Sequence, residues 1–156
     1  MKRIAIFPGS FDPFTIGHEE IVKRGLSMFD TIIVAIGKNS TKNTMHPLSK
    51  RMELINKVFL DEPRVEVDSY EGLTINYCAD KGAKFLLRGL RTSSDFEYER
   101  AIAQMNKNMN HEVESVFLLT APIHTPICST IVRDIFNNEG DISEFLPTNV
   151  TMEDLK

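Results

Sequence analysis

An α/β fold, with one doubly wound five-stranded parallel sheet and helices on both faces, is predicted by three features of the sequence. Short apolar runs alternate with longer amphipathic segments five times over. The connections between successive apolar runs can each hold a helix, which implies right-handed crossovers and parallel strands. Thr31 to Gly37 is β-branched and apolar almost throughout, as in a strand buried on both faces.

In chain order, Arg3 to Phe7 reads as the first strand. Residues 17–29 carry Ile21, Val22, Leu26, Met28 and Phe29 near helical spacing. Thr31 to Gly37 is the second strand, and the polar stretch Lys38 to His46 is a loop. Pro47 suits a helix start, and Met52, Ile55, Val58 and Phe59 give that helix its apolar stripe. Val65 to Asp68 is a strand, Leu73 to Lys81 a helix with Gly82 as its C-terminal stop, and Phe85 to Leu87 a strand. Ser94 to Glu97 fits a capping box for a helix reaching about Asn108, with Ile102, Met105 and Met109 on one face. Ser115 to Leu119 is the fifth strand and Ser129 to Asn137 the last helix. The polar tail after Pro147 is expected to fray or to dock at the periphery.

The 156 residues, without repeat or linker, suit one domain spanning 1–156. A chain of this length buries roughly 68–70% of its unfolded surface and needs no disulfide staple. It has 18 basic and 22 acidic residues, a formal charge of −4. That argues against a general nucleic-acid binder but leaves room for a focused basic pocket. The longest apolar run, Ile32 to Ile36, is far short of the ~20 residues a membrane helix needs. Only Ile4 to Phe7 follow the basic Met1-Lys-Arg3, too few for a signal peptide, so a cytoplasmic protein without membrane partner is expected. Cys78 and Cys128 stand apart and are expected as reduced thiols, not as a zinc pair.

In such sheets ligands bind beyond the carboxyl ends of the strands, so those segments carry the functional reading. Pro8 to His18 follows the first strand, with Gly9 and Gly17 permitting close backbone approach. His18 falls in the first turn of a helix, where free N–H groups and the dipole favour an anion. A tight turn with a helix-capping histidine explains the same residues. No Walker loop, Gly-x-Gly-x-x-Gly loop, Gly-x-Ser-x-Gly elbow or His-Glu-x-x-His pair is present. Lys42 lies in the second loop, either closing over a charged ligand or simply solvated. Arg88-Gly-Leu-Arg91 follows the fourth strand as a phosphate clamp or as surface ion pairs with Asp95, Glu97 or Glu99; Glu99 reads as a solvated helix residue. Ser129 or Thr130 would cap the last helix, with Arg133 one turn on; His124 and Cys128 belong to the loop before it. Together these place cations and two helix starts at one sheet edge, which suits a compact polyanion such as a nucleoside triphosphate.

Two of these segments resemble the signatures of nucleotidylyltransferases. Pro8-Gly-Ser-Phe-Asp-Pro-Phe-Thr-Ile-Gly-His18 looks like the T/H-x-G-H signature, and Ser129-Thr-Ile-Val-Arg133 like the second, S-x/T-x-x-R. Arg88 to Glu99, Glu114 to Phe117 and Gly140 to Pro147 more narrowly resemble the bacterial phosphopantetheine adenylyltransferase family. The resemblance covers nearly the whole chain. It implies a Rossmann-like nucleotidyltransferase that joins the adenylyl group of ATP to 4′-phosphopantetheine, giving 3′-dephospho-coenzyme A and pyrophosphate, with Mg²⁺ and no metal site of its own. It implies ATP contacts at Ser10, Phe11, His18, Gly89, Leu90, Arg91 and Glu99, and along His124, Thr125, Pro126, Ile127, Cys128, Ser129 and Thr130. It implies acceptor contacts at Ser10, Lys42, Thr74 and Arg88. A homohexamer and inhibition by coenzyme A are further implications. The family commonly has threonine at position 10, serine at 128 and an aromatic near 124.

The chemistry fits these residue types. An ionised phosphate is already a nucleophile, so direct in-line attack needs no protein base and no covalent intermediate. Catalysis then rests on alignment and on neutralising charge, for which His18, Lys42, Arg91 and Mg²⁺ form the expected cation set. A sister nucleotidylyltransferase acting on glycerol phosphate or nicotinamide mononucleotide, and a non-catalytic nucleotide sensor, are the alternatives.

Overall fold

The computed structural model of the protein describes residues 1–39 and 41–156; of the predicted loop 38–46, Ser40 lies outside them. The elements are β1 (Ile4–Gly9), α1 (Ile16–Gly25), β2 (Thr31–Gly37), α2 (Leu48–Val58), β3 (Val65–Tyr70), α3 (Thr74–Asp80), β4 (Phe85–Leu90), α4 (Ser93–Met109), β5 (Glu114–Leu119) and α5 (Ser129–Asn137). The strands form one sheet in the order β3-β2-β1-β4-β5, with every neighbouring pair parallel. The order reverses between β1 and β4. That switch point is where α/β sheets open a crevice for ligands.

Residue alternation along the strands sorts the core into two faces. Ala5, Phe7, Val34 and Leu87 pack against Ile21 and Val22 of α1 and Ile55 of α2. On the other face Ile6, Ile33, Ala35 and Leu86 pack against Ile75, Tyr77 and Cys78 of α3. A third cluster joins Leu54, Val132, Ile142, Leu146, Val150 and Leu155.

Several boundaries differ from the sequence reading. β1, β3 and β4 run two or three residues further, because the backbone ladder continues past the apolar run: Gly9 pairs with Ile36, and Leu90 with Leu119. Arg88, Gly89 and Leu90 are therefore strand residues, not loop. α1 ends at Gly25, where a Cβ would stand 2.8 Å from Ile32 Cδ1. α4 is capped by Thr92, whose side chain accepts from the Asp95 amide, and not by Ser94. The tail docks instead of fraying, with Leu155 only 3% exposed. The expected apolar face of α4 is not core: α4 buries no residue, and Met105 and Met109 are exposed.

Candidate active site

The β1–α1 loop shapes the centre of the site. A Cβ on Gly9 would stand 2.7 Å from the Phe11 ring, so only glycine fits beneath it. Phe11 adopts φ 48°, a left-handed conformation rare for a bulky residue. Its ring lies 5.1 Å from the His18 imidazole, and the Phe14 ring lies 5.2 Å away. Thr15 caps α1. Its amide donates to His18 Nδ1 at 3.0 Å, and the His18 amide donates back to Thr15 Oγ1 at 3.4 Å. An accepting Nδ1 leaves the ring proton on Nε2.

Burial, then the charges of Arg88 and Arg91, lower the His18 pKa to about 4. His18 is thus a neutral hydrogen-bond donor near neutral pH. The sequence reading made it a cation; a buried imidazole beside two guanidinium groups resists a further positive charge.

Two cavities open at the switch point. The first, of about 260 Å³, lies on the α1 side and is lined by Ser10, Phe11, His18, Lys42, Gly89 and Arg91. The loop before α5 contributes His124, Ile127 and Cys128 to the same wall, and the start of α5 adds Ser129 and Thr130. The second, of about 550 Å³, lies toward α3 and α4 and includes Thr74, Glu99, Ile102 and Asn106. The two share Pro8, Gly9, Ser10 and Arg88. Of the predicted site residues, Leu90, Thr125 and Pro126 line neither cavity. Leu90 is buried, and the Thr125 hydroxyl donates to the Ala121 carbonyl at 3.4 Å.

The basic residues are held differently. Lys42 is exposed and its Nζ donates to Ser10 Oγ at 3.0 Å. Arg88 makes a two-point pair with Glu99, at 2.9 and 2.6 Å, and donates to the Pro8 carbonyl at 2.6 Å. Glu99 is therefore not the solvated residue expected; its side chain is 12% exposed. It faces the second cavity and not the first. Arg91 lies 3.4 Å from Asp95 and keeps most of its donors free to face the first cavity. Cys128, not Ser129 or Thr130, occupies the N-cap of α5. The Ser129 hydroxyl instead donates to the Pro13 carbonyl at 2.9 Å, and Arg133 Nη1 donates to the Asp12 carbonyl at 2.7 Å. Burial raises the Cys128 thiol, but amide hydrogen bonds from Ile131 and Thr130 and the nearby Arg91 outweigh it and hold the pKa below the usual value.

A cytidylyltransferase-like family model matches residues 6–135. The chain is 51% identical over 151 residues to the phosphopantetheine adenylyltransferase of Flavobacterium psychrophilum, covering 97% of this chain and 99% of the relative. It is 47% identical to the enzyme of that name from Phocaeicola vulgatus, with 97% and 99% covered. The chain belongs to the phosphopantetheine adenylyltransferase family. Among solved structures, a putative nicotinate-nucleotide adenylyltransferase from Vibrio parahaemolyticus superposes with a TM-score of 0.69 at 21% identity, covering 100% of both chains. A bifunctional NMN adenylyltransferase/ADP ribose pyrophosphatase from Francisella tularensis gives 0.72 at 17% identity, covering 96% of this chain and 46% of that one. These distant likenesses establish the fold.

The residues that sequence reasoning missed support the site from the wall of the first cavity and from behind it. Thr15 fixes the His18 tautomer, and the signal for it is its position three residues before His18, the spacing of a capping box. Asp12, His46 and Arg51 are buried polar residues from three segments. No local pattern marks them, because their contacts are formed only by the fold.

Proposed function

We propose that this one-domain nucleotidyltransferase transfers the adenylyl group of ATP to 4′-phosphopantetheine, giving 3′-dephospho-coenzyme A and pyrophosphate in coenzyme A biosynthesis. The observation that carries this reading is the meeting of two cavities at Ser10 and Arg88, beside His18 and Lys42. A reaction that joins two phosphate-bearing substrates needs such a junction. The first cavity takes ATP, whose nucleoside lies along the His124 to Thr130 loop. The second takes the acceptor's arm past Thr74, with its phosphate at Ser10 and Lys42.

An oxygen of the acceptor phosphate attacks the α-phosphorus of ATP. The bond from that phosphorus to the α–β bridging oxygen breaks, and its electron pair leaves with pyrophosphate. The attacking oxygen is already ionised, so no protein group removes a proton or bonds to either substrate. His18 donates through Nε2–H to the phosphate oxygens gaining charge, while Lys42 and Arg91 supply positive charge. Mg²⁺ neutralises part of the triphosphate's charge when bound. Among the described residues no group of three His, Cys, Asp or Glu side chains is placed to hold it. The carboxylate of Asp12 at the first cavity is engaged by the Met45 and His46 amides. In this reading the ion enters on the nucleotide.

We assign coenzyme A, which carries the acceptor's arm, to the second cavity as an inhibitor. Tyr98, Met105 and Met109 on α4 are exposed, which supports burial of this helix in a homohexamer. No helix among the described residues is long and apolar enough to cross a membrane, and we place the protein in the cytoplasm. Pyrophosphate release with ATP, Mg²⁺ and 4′-phosphopantetheine tests the assignment. Faster release with glycerol phosphate, nicotinamide mononucleotide or CTP, or ATP binding without release, overturns it.

A further inference from the structure

We propose that Arg51, together with Asp12, is a positioning residue that braces the loop carrying Ser10 against the loop carrying Lys42, and so sets affinity for the acceptor's phosphate. The proposal rests on the reaction argued above. Arg51 stands in the first turns of α2, and Asp12 lies two residues after Ser10; they are 8% and 2% exposed. Neither is among the residues that the resemblance assigns to a substrate.

Their hydrogen bonds cross between the two loops. Arg51 Nη1 donates to the Ser10 carbonyl at 2.7 Å, and its Nε donates to the His46 carbonyl at 3.1 Å. In the other direction the Asp12 carboxylate, on the Ser10 loop, accepts from the amides of Met45 at 2.6 Å and His46 at 3.1 Å. The Ser10 loop thus gives a carbonyl acceptor to Arg51, and the Lys42 loop gives two amide donors to Asp12. His46 is pinned from behind, where its Nε2 donates to the Leu155 carbonyl at 2.8 Å.

Burying a guanidinium is costly unless its donors are used. Arg51 spends two of its donors on main-chain carbonyls of the two loops and touches no carboxylate within salt-bridge reach among the described residues. An apolar side chain could fill that space without linking the loops. The product of the link is local: the Ser10 hydroxyl meets Lys42 Nζ at 3.0 Å. Lys42 is otherwise an exposed, long and flexible side chain. Holding its backbone at a set distance from Ser10 reduces the ordering needed when the acceptor's phosphate arrives.

Steady-state kinetics on Arg51→Met, Arg51→Lys and Asp12→Asn test this, each alone and in a Lys42→Ala background. Each single variant is expected to raise KM for 4′-phosphopantetheine by roughly tenfold or more, with kcat changed less than about threefold and KM for ATP unchanged. In the Lys42→Ala background the same changes should add less than about twofold, because the group being positioned is gone. An unchanged acceptor KM in any folded variant overturns the proposal. Effects that multiply in the double variants also overturn it, since a general structural defect does that. Arg51→Lys and Asp12→Asn keep the test alive if Arg51→Met does not fold. Hydrogen exchange at the Met45 and His46 amides reads the brace without turnover. Faster exchange in Asp12→Asn supports the proposal, and unchanged exchange defeats it. Failure of the wild-type protein to release pyrophosphate would instead defeat the functional reading, with exchange then deciding the brace.

Discussion

Replacing His18 by alanine removes a ring that lines the first cavity and whose Nε2–H is proposed to donate to phosphate. Loss of one preorganised donor to developing charge costs about 10²–10³-fold in kcat. The neutral state of the ring makes the experiment sharper. Its pKa is lowered from 6.5 to about 4 by burial and by Arg88 and Arg91. The pH dependence of kcat/KM reports the free enzyme, so His18 should contribute no limb between pH 5 and 8 and one only near 4. The sign for stability follows. Between pH 6.5 and about 4 the unfolded chain binds a proton that the folded chain refuses, so stability falls as the solution is acidified across that range. The 2.5-unit difference corresponds to at most about 3 kcal/mol, less the solvent screening at a ring that lines an open cavity. His18→Gln, with an uncharged N–H near the same position, should recover about tenfold of the lost rate. Pyrophosphate release from pH 4.5 to 8.5, with circular dichroism to check folding, provides the measurement. Unchanged kcat in His18→Ala, or a wild-type limb near pH 6.5 that disappears in the variant, refutes the reasoning.

Other changes read other parts of the site. Lys42→Ala should raise KM for 4′-phosphopantetheine by about 10–100-fold, the worth of a charged hydrogen bond, and leave KM for ATP unchanged in the same assay. Cys128, whose pKa lies below the usual thiol value, should react with a maleimide before the buried Cys78, whose burial pushes it up to about 11. ATP should protect Cys128, and mass spectrometry showing Cys78 modified first would contradict the assigned environments. Gly9→Ala must displace the Phe11 ring that packs on His18, so kcat should fall by at least about tenfold; an unaltered kcat would show that the ring shift is harmless.

The sheet was legible because its cause is local. The unbroken apolar run of β2 admits little besides a strand buried on both faces, and its boundaries, Thr31 and Gly37, match. The strand-end rule then brought Ser10, His18, Lys42 and Arg91 to one cavity. What was not legible depends on contacts distant in sequence. β4 continues through Arg88 because β5 pairs with it, a fact that side-chain polarity conceals. Glu99 is partly shielded from solvent because Arg88, eleven residues earlier, turns toward it. His18 is neutral because the fold buries its ring and brings two arginines, from β4 and just past its end, near it. The apolar stripe of α4 was legible only as a stripe, since helical periodicity shows that a face is apolar without showing what covers it.

The segment Gly140 to Pro147 supports the family resemblance yet brings no side chain to either cavity. Its role is in packing. Ile142 is fully buried and Leu146 2% exposed, against Leu54 of α2 and Val132 of α5. A Cβ on Gly140 would stand 2.4 Å from Ile135 Cγ2, so the chain turns tightly against α5 there. Just beyond, the Thr148 amide donates to Glu19 Oε2 at 3.1 Å, and Glu19 is the neighbour of His18. The segment therefore grips α1, α2 and α5, whose N-terminal portions present His18, Arg51 and the Cys128–Thr130 turn. A misfit at Ile142 would move these helix ends relative to one another, and the first cavity, lined by α1 and α5, depends on their spacing. Close-packed interiors transmit such shifts instead of absorbing them. Constraint on residues 140–147 is thus expected to be nearly as strict as on the residues that touch phosphate, and for a reason that ligand contacts alone would not reveal.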